Sequence, residues 1–161
     1  MNNQATGLWP ILMLATLMIV TAGSLHAASP QGPSQEQWQQ LNKDLVTQHI
    51  VPRYQALQEA STELEMRSKA LCIAPDMAHL KQTRAAFHQT MDAWQGIQHV
   101  QFGPIENLMR NFSMQFWPDK KNLIGKQLNL LLQQGNPDTL STDYLYKASI
   151  GVKGLPALER L

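Results

Sequence analysis

His88 and Asp92 stand four residues apart in a stretch of helical periodicity, so their side chains share a face and offer an imidazole nitrogen and a carboxylate to one divalent ion. Two donors do not hold a metal by themselves. Further ligands would have to arrive through the fold from His99, Glu106 or Glu159. The plainer reading of the pair is a solvated polar face beside Phe87 and Met91. Glu59, Glu63 and Glu65 make a second acidic cluster. Hard cations such as calcium favour oxygen donors but also need a shaped loop or cavity, so an exposed acidic helix face is the simpler account. Phe112, Phe116 and Trp117 are spaced as core aromatics, with a ligand-lining role as the alternative. Cys72, the single cysteine, permits no intrachain disulfide and reads as a small buried apolar side chain near a helix end. No Cys-x-x-Cys-His, phosphate loop, serine elbow or His-Glu-x-x-His helix occurs, which excludes c-type haem attachment and several hydrolase classes.

The elements that must position these residues are helical. Ser34 offers an N-cap with Gln37 as its capping-box partner, and Trp38, Leu41, Leu45, Tyr54, Leu57, Leu64 and Leu71 follow as one long amphipathic helix. Val51-Pro52 should kink or divide it. A turn at Ala74-Pro75-Asp76, capped by Asp76, leads into a second helix carrying Leu80, Phe87, Met91 and Trp94. Phe102-Gly103-Pro104 ends that region as a tight reversal, with Phe102 and Trp94 anchoring it to the core. Ile105, Leu108, Met109 and Phe112 suggest a short helix. Asp119 caps a further helix that buries Leu123, Ile124, Leu128, Leu131 and Leu132 and closes at Gly135. Strict apolar alternation never persists, so no strand is expected and the class is an all-α antiparallel helical bundle.

The first 35 residues contain no Lys, Arg, Asp or Glu, and Leu8 to Val20 is apolar apart from Pro10 and Thr16. Small residues follow through Ala27-Ala28-Ser29. This pattern reads as a secretory signal peptide over residues 1–28, with an uncleaved anchor as the competing reading. Residues 29–36 read as a linker and 37–161 as the helical domain. The expected location is the periplasm or cell envelope, with membrane contact only through an uncleaved leader. A net charge of +1 and the lack of a basic block exclude an electrostatic grip on nucleic acid.

At the end of the chain, Gly151 and Gly154 approach a helix start in which Pro156 occupies the first turn. Leu155, Leu158 and Leu161 then lay down a three-residue apolar stripe, which predicts a docking face for a partner or for a missing second half. That segment, read with Ala93-Trp94, the turn Val100–Ile105 and the Trp117-Pro118-Asp119 helix start, resembles the imelysin family of bacterial cell-envelope proteins from about Gln37 to Leu161. The resemblance implies two related helical bundles in a complete member, of which this chain would supply the first and the opening of the second. It also implies that the turn packs near the glycine-led helix and brings His99 and Glu106 toward Glu159. The family signature is Gly-x-His-x-x-Glu, whose histidine and glutamate are the proposed metal-binding or catalytic pair. Gly154 and Glu159 match it, and Pro156 stands at the histidine position. No catalytic residue is therefore assigned, and the reading is a non-catalytic protein of iron or other divalent metal acquisition, with Glu159, His99 and Glu106 as ligands and His88 and Asp92 behind them. The alternatives are an imelysin-type metallopeptidase and a helical interaction module.

Overall fold

The computed structural model describes residues 32–136 and 140–160. The expected leader, the start of the expected linker and Leu161 lie outside the described residues. The chain divides after Pro33, and every element below belongs to the unit that starts at Ser34.

Helix α1 (Gln35–Asp44) begins with the expected capping box: Ser34 Oγ accepts from the Gln37 N–H at 3.2 Å, and Gln37 Oε1 accepts from the Ser34 N–H at 2.7 Å. Two N–H groups that the helix cannot satisfy are thereby used. The helix starts at Gln35, two residues before the domain boundary expected at 37. A six-residue π-helix, Leu45–Ile50, then joins α1 to α2 (Val51–Ile73) without a break at Pro52. The Val51 N–H reaches back five residues to the Val46 carbonyl. This wider turn moves the carbonyl that a proline ring would meet, and the missing N–H falls where the hydrogen-bond register is already changing.

Asp76 caps α3 (Met77–Ile97) by accepting the His79 N–H on Oδ1 at 2.8 Å, and α3 returns along α2 as an antiparallel hairpin. Leu57 and Leu64 of α2 meet Ala86, Phe87, Trp94 and Ile97 of α3, with Val100 just beyond; together with Leu155 these form the core. Burying one such large side chain contributes about 1.5–3 kcal/mol. Thr83 and Thr90 also lie in the seam, both fully buried. The Thr83 hydroxyl is shared between the carbonyls of Arg67 and His79 at 3.1 and 2.9 Å, and that of Thr90 between Ala60 and Ala86 at 3.0 and 2.9 Å. Short satisfied hydroxyls let the two backbones approach without an orphaned polar group. The Trp94 indole donates to Gln115 Oε1 at 2.7 Å and so ties the later chain to the hairpin.

After α3 the chain departs from expectation. The short helix predicted over Ile105 to Phe112 is replaced by two 3₁₀ turns, Gly103–Ile105 and Asn107–Met109, and by α4 (Arg110–Met114). Leu108 and Met109 adopt left-handed backbone at φ 57° and 56°, and Leu108 is 80% exposed, so no buried stripe holds a continuous helix there. Ile105 alone of the predicted set packs against the core. Val100 is the buried anchor of the reversal, whereas Phe102 is exposed. Phe112 and Trp117 are exposed and Phe116 half-buried, which corrects their assignment to the core. Cys72 is likewise exposed in the last turn of α2.

Asp119 starts α5 (Leu123–Gln134) by accepting the Leu123 and Ile124 N–H groups at 2.6 and 2.9 Å, and Gly135 ends it in left-handed conformation. Ser141 caps α6 (Thr142–Lys147), an element the spacing did not predict. A 3₁₀ turn, Ile150–Val152, leads to α7 (Gly154–Leu158), which lies against α3, α4 and α5. Leu155 is 4% exposed and Leu158 packs on the same core. Of the stripe expected to dock on a partner, Leu155 is thus buried in this chain's own core and Leu158 is half-buried beside it, with Leu161 outside the described residues. Among the described residues there is no strand, and no helix is long and apolar enough to cross a membrane.

Candidate functional site

Arg84, His88, Met91 and Gln95 of α3 and its C-cap residue Gln98 recur at three- and four-residue steps, on a different face from the buried Thr83, Ala86, Thr90, Trp94 and Ile97. They form one wall of an open cleft of about 730 Å³. Trp117, Asp119 and Asn122 supply a second wall, and Pro156, Leu158, Glu159 and Arg160 a third.

The third wall depends on Gly154. Its φ of +70° suits glycine, and a Cβ there would collide with the Ser113 carbonyl and sit 2.7 Å from that of Met114. The glycine therefore serves close approach of α7 to the end of α4. Seated in this way, α7 buries Pro156 in the cleft and carries Glu159, its C-terminal cap residue, on the exposed edge.

Burial pushes the Asp119 carboxyl up, but the backbone N–H groups of Ile124, Leu123 and Lys121 and the charge of Arg160 outweigh it and hold the group below the usual aspartate range. Asp119 is thus an ionised structural cap at the cleft edge. Pro156 offers neither a lone pair nor a proton at the position where the family signature carries histidine.

Of the candidate metal ligands singled out in the sequence, Glu159 and His88 reach the same cleft. Asp92 is exposed but absent from the lining, so the His88/Asp92 pair is divided between cleft and solvent. His99 pairs with His49, with Nε2 atoms 2.9 Å apart, and Glu106 is exposed between the two 3₁₀ turns. The expected convergence of His99 and Glu106 on Glu159 therefore does not occur. Among the described residues no three His, Cys, Asp or Glu side chains gather where one ion would reach them all. Glu63 and Glu65 instead pair with Arg67 and Lys69, each at 2.6 Å, which accounts for the acidic face of α2. Arg84, Gln95, Gln98 and His49 were missed; the first three shared a helical period with His88, the only signal that the sequence held.

A sequence profile of the imelysin (peptidase M75) family matches residues 50–161. The fold is similar to the crystal structure of an imelysin-like protein from Psychrobacter arcticum 273-4, with a TM-score of 0.67 and 24% identity over 79% of this chain and 40% of that one. The chain thus spans less than half the length of that structural relative. No curated protein matches it. With the profile covering most of the chain, and the glycine-led α7 and the Trp-Pro-Asp entry to α5 built as described, the chain belongs to the imelysin family.

Proposed function

We propose that the protein is an exported, non-catalytic imelysin that works in acquisition of iron or another divalent metal at the cell envelope, with the cleft beside α7 receiving the ion or its complex. The observation that carries this reading is Pro156, buried in the cleft wall at the signature's histidine position. Hydrolysis that relied on that imidazole has neither base nor metal ligand there. Glu159 and His88 remain as donors facing the cleft, too few to close a resident metal site, so the ion enters as cargo with part of its coordination supplied by water or by its own chelator. The apolar, uncharged first residues support export, and the family supports the envelope.

Isothermal titration of the full chain with ferrous, ferric and zinc ions tests the reading. Binding that weakens in Glu159→Gln, without peptide hydrolysis, is expected. No binding of any of the three ions overturns the metal role, and chelator-sensitive proteolysis by pure protein overturns the non-catalytic one.

A further inference from the structure

We propose that His49 and His99 form a separate two-imidazole site for copper(II) or nickel(II) that arrives already chelated, the chelator supplying the donors that two side chains cannot. The rings come from residues fifty apart in sequence, His49 from the π-helix and His99 from the turn that follows α3, and their Nε2 atoms face each other at 2.9 Å with ring centroids 5.1 Å apart. Neither ring lines the cleft. His49 is half-buried and His99 exposed, so one side is fixed and the other is open to solvent. The π-helix that turns His49 toward α3 belongs to a class of distortion found frequently at functional sites.

Arg53 Nε–H donates to His49 Nδ1 at 3.2 Å, which places the His49 proton on Nε2, where it is shared toward the His99 nitrogen. Arg53 also donates through a terminal nitrogen to the Gly96 carbonyl at 3.2 Å. On loading, the proton between the rings moves to His49 Nδ1, both Nε2 lone pairs turn to the ion, and Arg53 yields that acceptor while keeping Gly96. With metal–nitrogen bonds of about 2.0–2.1 Å, a nitrogen separation near that observed subtends roughly 90° at the ion. This is a cis angle of square-planar or octahedral coordination, which copper(II) and nickel(II) adopt, and is too narrow for tetrahedral zinc. Water or ligands brought by the ion fill the remaining positions, in keeping with the lack of a third donor among the described residues.

The test adds copper(II) as its iminodiacetate complex, which leaves two cis positions open, to the full chain and to His49→Ala, His99→Ala and His88→Ala. Pulsed electron paramagnetic resonance counts the bound imidazoles, titration gives the affinity, and circular dichroism checks that each variant keeps its helices. A paired-imidazole signal in wild type and His88→Ala is expected. It should be lost in the other two, with affinity falling by about tenfold or more, at least what removal of an outer-shell partner costs. A wild-type spectrum without paired imidazoles, or a paired signal that survives in both His49→Ala and His99→Ala, overturns the site. His99 is exposed, so its variant is the one that leaves the packing least disturbed.

Discussion

Helix α1 is ten residues long, opens with a complete capping box and buries none of its residues, whereas α7 is five residues long, has no side-chain cap and buries both Leu155 and Pro156. The apolar stripe of α1 is as regular as any in the chain, yet Trp38 and Leu41 remain 47% and 54% exposed. Local signals decide where a helix begins, and tertiary contacts decide whether it is anchored. The short helix is held because Gly154 lets it press on the carbonyls of Ser113 and Met114 while Leu155 enters the core.

Mutations put the difference between the two helices to the test. Leu155→Ala should lower unfolding stability by about 2–5 kcal/mol, the usual cost of emptying a core leucine site, as read from the denaturant midpoint. A loss below about 1 kcal/mol would erase the difference between the two helices. Gly154→Ala should cost about 1–2 kcal/mol for left-handed backbone alone, plus whatever the two carbonyls add, and should loosen α7 without changing the content of α2 and α3 in hydrogen exchange. Thr90→Val keeps the shape of the seam and removes one buried hydroxyl bond, a loss of about 1 kcal/mol by thermal unfolding.

The acid limb gives a subtler probe. Because the folded protein holds Asp119 below its ordinary value, the group stabilises the fold above the usual aspartate range, and that contribution disappears as pH falls below about 4. Asp76, held down chiefly by hydrogen bonds from His79, acts in the same sense. Asp119→Asn should therefore flatten part of the decline in unfolding midpoint between pH 5 and 2, and an unchanged profile would exclude the cap as its source. The smallest effect belongs to Leu41→Ala, expected within about 0.5 kcal/mol of wild type because the site is exposed; a larger loss would mean that α1 is docked after all.

The caps at Ser34, Asp76 and Asp119 and the stop at Gly135 were legible because each acts within three to five residues of itself. The π-helix was not legible, since Pro52 announces a disturbance without saying how the register absorbs it. The left-handed turns at Leu108 and Met109 and the burial of Leu155 depend on partners far along the chain. In the cleft, the period shared by Arg84, His88, Gln95 and Gln98 was present in the sequence, but a polar helix face looks the same whether it meets bulk water or a concave wall. Glu159 came from the family signature and reached the cleft, while His99 was drawn instead to His49, a partner that no local pattern marked.

The two threonines of α3 also set how the hairpin can move. From the Thr83 rung to the Thr90 rung, α3 advances seven residues and its acceptors on α2 retreat seven, from Arg67 to Ala60. Sliding one helix past the other by a single turn would sever both rungs together. The pair therefore behaves as a strut with a locked gauge, which can rock as a whole but not ratchet along its length.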